Sequence, residues 1–174
     1  MTTPTGPAEP LRPADLQAFM QQHAIAGEIL FLEMPTPPVE AAARAVGASP
    51  NSIVKSILFL VDDQPVLAVA CGNGLVDRRL IARRYGVGRK RVKLADPETV
   101  LRLSGYEVGA MPPFGHLQPL PTLVDPRLLE HDVVYAGGGA ENALLRLHSA
   151  EILRLSGAEP MDLMETGDAD RSAQ

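Results

Sequence analysis

The run Ser52-Ile53-Val54-Lys55-Ser56-Ile57-Leu58-Phe59-Leu60-Val61 constrains the fold more than any other stretch of the chain. It is apolar, rich in β-branched and aromatic residues, and too short for a typical buried helix, so it reads as a buried strand. Asp62-Asp63-Gln64-Pro65 then predicts a turn and Val66 to Ala70 a returning strand, together a β-hairpin. Alternation places Ile53, Lys55, Ile57 and Phe59 on one face and Val54, Leu58 and Leu60 on the other. Neither face is plainly solvated, yet Lys55 carries an ammonium into it. Two readings stand at this point. Lys55 either snorkels to water from the strand entrance or holds something charged, since a lysine is almost never fully buried unpaired.

At 174 residues the chain is long enough for one core and short for two, so a single domain is expected over residues 11–164. Residues 1–10, with three Pro, three Thr and a Gly, read as a flexible leader, and 165–174 as a flexible tail. No apolar run reaches the roughly 18 residues of a membrane span, and the start lacks a basic segment followed by an apolar one. A cytoplasmic location is the expectation. The one cysteine, Cys71, fits a reducing compartment.

The net charge of −5 hides a strong polarity. Arg78, Arg79, Arg83, Arg84, Arg89, Lys90, Arg91 and Lys93 fall within one stretch that has no acid, giving it +8 and the remainder −13. Such a patch suits phosphates, and nucleic acid is the partner it points to; a solvated helix face is the alternative.

Along the chain, Pro13 opens a first helix carrying Leu16, Phe19, Met20 and His23, and Ile29–Leu32 is a short strand. Pro35 to Pro38 breaks the chain before a helix from Val39 to Val46 that Gly47 stops. Asp77 caps a helix running to Tyr85 and Gly86, with Leu80 and Ile81 inward and Arg79 and Arg83 together outside. Asp96-Pro97-Glu98 opens another helix, ending near Gly105. Thr122–Val124, Val133–Tyr135 and Leu144–Leu147 are strand candidates, and Ser149 caps a closing helix stopped by Gly157. Two glycine-bearing loops, Gly109-Ala110-Met111-Pro112-Pro113-Phe114-Gly115 and Ala136-Gly137-Gly138-Gly139, look built to bring main-chain amides close to another group.

The chemistry the chain lacks narrows the field. His23, His116, His131 and His148 are scattered, with no Cys-x-x-Cys, so no zinc site is expected. No Gly-x-Ser-x-Gly or phosphate-loop motif occurs, and Cys71 on an alternating strand is most simply a small core residue. A cation and backbone amides remain, a set that stabilises charge on a carbonyl or phosphate oxygen.

Glu40-Ala41-Ala42, the Lys55 strand, Gly74-x-Val76-Asp77, Gly109-x-x-x-Pro113-Phe114-Gly115, Val124-Asp125 and Ala136 to Gly139 resemble, in that order, the YbaK-type aminoacyl-tRNA deacylases. These are freestanding relatives of the editing domain of bacterial prolyl-tRNA synthetases, and the resemblance runs from about Val39 to Leu163. It implies a mixed α/β domain whose sheet curls toward a barrel with helices outside. The implied reaction is hydrolysis of the ester on a mischarged tRNA, with no cofactor or metal, and prolyl-tRNA synthetase is an implied associate. DNA and membrane partners are not expected. Lys55 and Gly109 would carry catalysis, and Ser56, Pro113, Phe114, Gly115, Gly137, Gly138 and Gly139 would bind substrate, the glycines leaving room for the adenosine end. On the charge argument, and not on any family motif, the eight basic residues would grip the acceptor stem. Alanyl-specific relatives often have Asn after the site lysine, where this chain has Ser56, which argues against an alanyl substrate and leaves cysteinyl, seryl, threonyl or another small residue open. The alternatives are an inactive tRNA-binding module of the same fold and a deacylase of small-molecule esters.

Overall fold

The computed structural model describes residues 9–35 and 38–164. Most of the expected leader, all of the expected tail, and Thr36 and Pro37 of the proline break lie outside the described residues. The elements are α1 (Pro13–Gln22), β1 (Gly27–Phe31), α2 (Val39–Val46), β2 (Val54–Val61), β3 (Gln64–Cys71), α3 (Arg78–Tyr85), β4 (Val92–Leu94), α4 (Pro97–Ser104), β5 (Thr122–Val124), β6 (Val133–Gly137), β7 (Ala143–His148), α5 (Ser149–Ser156) and β8 (Glu159–Pro160).

The β2–β3 hairpin is the centre of a five-stranded mixed sheet in the order β4-β2-β3-β5-β8. Its turn is tighter than the sequence indicates. Asp62 and Asp63 take φ of 48° and 64°, the paired positive values of a two-residue hairpin turn, and Pro65 is already in β3 opposite Leu60. Pro65 is tolerated there because pairing of β3 with β5 begins only at Leu67. A second, antiparallel sheet runs β1-β7-β6, and a single bridge from Ile53 to Tyr135 joins the two.

Among the described residues neither sheet closes, which corrects the expected barrel-like curl. The larger sheet ends in short edge strands, three residues in β4 and two in β8, that do not pair with each other. The result is a mixed α/β domain of two open sheets.

Alternation along β2 holds as read. Val54 and Leu58 enter the main core with Leu16, Met20, Val100, Leu145 and Ile152, whereas Phe59 and Val61 pack on the opposite face with Ile81 and Ala82 of α3. Burying a leucine-sized side chain contributes about 1.5–3 kcal/mol, so these two faces fix the register of the hairpin. Helix ends follow local chemistry: Asp77 and Asp96 accept from Arg79 and Thr99 backbone N–H groups, and Gly47, Gly86, Gly105 and Gly157 end helices in the left-handed conformation. Ser149 lies inside α5 instead of capping it. β7 runs straight into the helix, so His148 takes the cap position and the Ser149 N–H donates to Asp132.

Candidate active site

Lys55 is the second residue of β2, opposite Ala70, and is half-buried. Its ammonium donates to the carbonyl oxygen of Gly74 in the loop between β3 and α3. Burial pulls its pKa below the ordinary lysine value, with the Cys71 sulfur opposing. Burial pushes the Cys71 thiol up, the Asp125 charge adds to that, and Arg127 opposes, so Cys71 stays protonated near neutrality.

A small cavity of about 120 Å³ opens beside Lys55. Ser56, Gly109 and Gly137 line it with Lys55, and Val39, Ala42, Met111 and Ala136 supply apolar wall. Among the described residues, Lys55 and Ser56 are the lining residues with polar side chains. The Ser56 Oγ is shielded from solvent and has no hydrogen-bond partner. A buried hydroxyl left unpaired is costly, and a ligand that pairs it recovers that cost.

The loop carrying Gly109 is held from two sides. Gly109 takes φ +87°, a conformation disfavoured for L side chains, and among the described residues no acceptor takes its N–H. The Gly139 N–H donates to Ala110 O at 2.9 Å. A Cβ on Gly137 would stand 2.3 Å from the Met111 carbonyl oxygen, so the close approach of β6 to this loop depends on glycine.

Other members of the expected set lie elsewhere. Pro113, Phe114 and Gly115 line a separate cavity of about 270 Å³ against α1. Phe114 stacks on Phe19 at 5.8 Å, and a Cβ on Gly115 would touch the Phe19 ring at 3.2 Å, so this end of the loop is an anchor. The space beside Gly138 is filled by the Ala143 backbone and that beside Gly139 by Arg12 and Pro13. Four expected residues thus share the cavity: Lys55, Ser56, Gly109 and Gly137.

His116 enters where sequence reading gave it no role. Its Nε2 contacts Pro112 O at 2.8 Å, an i to i−4 link that closes the loop, and burial lowers its pKa although the Pro112 contact opposes. Nothing in the spacing of four scattered histidines signals this.

The basic segment is partly neutralised by acids from outside it. Arg79 pairs with Asp77 at 2.9 Å, Arg84 with Glu159 at 2.6 Å and Arg91 with Asp62 at 2.5 Å. The Arg78 guanidinium lies 5.9 Å from the Phe59 ring centroid. Among the described residues no carboxylate stands within ion-pair distance of Arg78, Arg83, Arg89, Lys90 or Lys93, and the last four are exposed.

Residues 33–155 match the family model described as the aminoacyl-tRNA editing domain. The chain belongs to this family. The editing domain is 27% identical over 129 residues to the multifunctional Ser/Thr-tRNA deacylase ProXp-y of Escherichia coli K12, covering 73% of this chain and 75% of that protein. It is 28% identical over 130 residues to the uncharacterised protein YwhH of Bacillus subtilis, covering 74% and 81%. A crystal structure of a candidate trans-editing enzyme for prolyl tRNA synthetase superposes with a TM-score of 0.82 at 31% identity, covering 95% of this chain and all of that one. Membership makes the chain a hydrolase of aminoacyl-tRNA esters, related to the editing domain of prolyl-tRNA synthetase. No described helix is long and apolar enough to cross a membrane.

Proposed function

We propose that this editing domain acts in trans on tRNA(Pro) carrying a small wrong amino acid, with seryl and threonyl esters preferred over alanyl and cysteinyl ones. The observation that carries the reading is the convergence of Lys55, Ser56, Gly109 and Gly137 on one cavity of about 120 Å³. That volume equals about four waters at liquid density, which suits a side chain of a few heavy atoms and rejects a large one. The unpaired Ser56 hydroxyl favours a substrate that brings its own hydroxyl. The Ser/Thr activity of the E. coli relative agrees with that preference.

Lys55 stands at the mouth and holds the terminal phosphate and the ester region. The free Gly109 N–H is a donor for the oxyanion that forms at the ester carbonyl. A positioned water attacks that carbon; attack by the neighbouring ribose hydroxyl would only move the acyl group between ribose oxygens, and water would still have to release it. With water, the carbon–oxygen bond to the ribose breaks, one water proton passes to the ribose oxygen, and free amino acid and tRNA leave. An activated ester needs little general-base power, which fits a cavity where Lys55 is the one titratable side chain among the described residues. Arg83, Lys90 and Lys93, free of acid partners, contact the phosphates of the acceptor stem.

The test compares a seryl-tRNA(Pro) with a small seryl ester across a salt series. Turnover of the tRNA falls steeply between 50 and 200 mM salt while the small ester is unaffected. Equal turnover of both with no salt dependence would contradict an RNA substrate.

A further inference from the structure

A groove of about 620 Å³ lies further along β2 from Lys55. Its floor is Ile57 and Phe59, which follow Lys55 at every second position and so share its face of β2. Its walls are Leu75 and Leu94, 70% and 56% exposed, and its rim carries Arg78 and Arg89. The Lys55 ammonium donates to the carbonyl oxygen of Gly74, and the next residue, Leu75, lines the groove, so the lysine of the cavity is tied one residue from the groove wall. Among the described residues Asp77 is the one carboxylate at the groove, buried and occupied by Arg79 and the first turn of α3. Burial acts against its charge, but the Arg79 side-chain bonds outweigh that and hold its pKa below the ordinary aspartate value.

We infer that this groove is a binding site for the single-stranded nucleotides immediately 5′ of the terminal adenosine, a reading that rests on the proposed function. The exposed leucines are unsupported apolar surface of the kind an unstacked base covers, and Arg78 and Arg89 stand at the rim to meet the phosphates. A duplex cannot enter a concave groove floored by side chains, whereas it can rest on the exposed outer cations Arg83, Lys90 and Lys93. Lys55 to Phe59 spans about 13 Å along the strand, the reach of a short stretch of extended nucleotide chain. The cavity takes the aminoacyl group, Lys55 the terminal phosphate, and the groove the nucleotides before it.

The test is direct binding, measured without turnover. The trinucleotide CCA and adenosine 5′-monophosphate are titrated into the full chain, wild type and the double variant Leu75→Ser/Leu94→Ser, with circular dichroism confirming the fold. Wild type is expected to bind CCA at least tenfold more tightly than the mononucleotide, and the variant to lose most of that gap. Arg89→Ala, which removes only an exposed side chain, is expected to reduce the gap and its salt dependence. A wild type with no gap, or a gap that survives in both variants, overturns the groove assignment. Absence of tRNA deacylation by a wild type that shows the gap would instead overturn the proposed reaction and leave the groove standing.

Discussion

The Lys55 ammonium, in the lining of the small cavity of the editing domain, donates to the carbonyl oxygen of Gly74, whose neighbour Leu75 lines the basic groove. One hydrogen bond thereby ties the lysine of the cavity to the chain segment that enters the groove wall. Lys55 is half-buried on a strand whose other residues, Ser56 apart, are apolar, and burial pulls its pKa down.

That shift has a sign that can be measured. Between the lowered folded value and the ordinary 10.5, the unfolded chain holds a proton that the folded chain does not, so Lys55 makes stability rise with pH across that window. Deacylation, which uses the charged form, should fall on the alkaline side before an ordinary lysine titrates. Lys55→Met removes a charge disfavoured by burial together with one hydrogen bond worth about 1 kcal/mol, so its unfolding midpoint at pH 7 should lie within about 1 kcal/mol of wild type. Urea unfolding checks this, and a larger loss would make Lys55 a structural residue.

Ser56→Ala should narrow the preference for seryl over alanyl ester by about tenfold, the equivalent of one hydrogen bond of roughly 1.4 kcal/mol. Competition between the two charged tRNAs reads it. Because the Ser56 Oγ has no partner in the protein, the variant should be no less stable than wild type.

Gly137→Ala puts a Cβ 2.3 Å from the Met111 carbonyl oxygen, backbone against backbone, and must push the Gly109 loop away from β6. A destabilisation of about 1–3 kcal/mol is expected, with loss of deacylation. At Gly47 an added Cβ meets nothing within 4 Å, so Gly47→Ala should show only the cost of its left-handed conformation, about 1 kcal/mol, with activity retained. Denaturant midpoints and turnover of the pair separate the two effects.

His116 links pH to the same loop. Its folded pKa lies below the ordinary 6.5 because burial disfavours the imidazolium, so the unfolded chain takes up the proton first as pH falls. Loop stability should therefore decline below about pH 6.5 and go on declining down to the folded value. Histidine ring resonances followed by NMR against pH, beside the unfolding midpoint, test this. A midpoint independent of pH in that range for wild type, matching His116→Gln, would contradict it.

The sequence made legible whatever was decided locally. Asp77 and Gly86 bracket α3, Gly47 ends α2, and strict alternation along β2 separates the two cores as written. What escaped was decided across the chain. Val92–Leu94 sits inside the basic run with a charge at its centre, and it becomes a strand because it pairs with Phe59–Val61. The three consecutive glycines looked alike, yet Gly137 alone faces the cavity, and its neighbours yield their space to Ala143, Arg12 and Pro13. Pro113, Phe114 and Gly115 carry the family pattern but stand against α1, where Phe19 braces them. The basic run showed no acid within itself, and only folding brings Asp62 and Glu159 onto Arg91 and Arg84.

The most direct test of the account is deacylation of Ser-, Thr-, Cys- and Ala-tRNA(Pro) by wild type and Lys55→Met side by side. The account predicts turnover of the seryl and threonyl esters ahead of the other two, abolished in Lys55→Met while that variant still folds. Turnover that survives in a folded Lys55→Met, or a wild type that binds tRNA and hydrolyses none of the four, would contradict it.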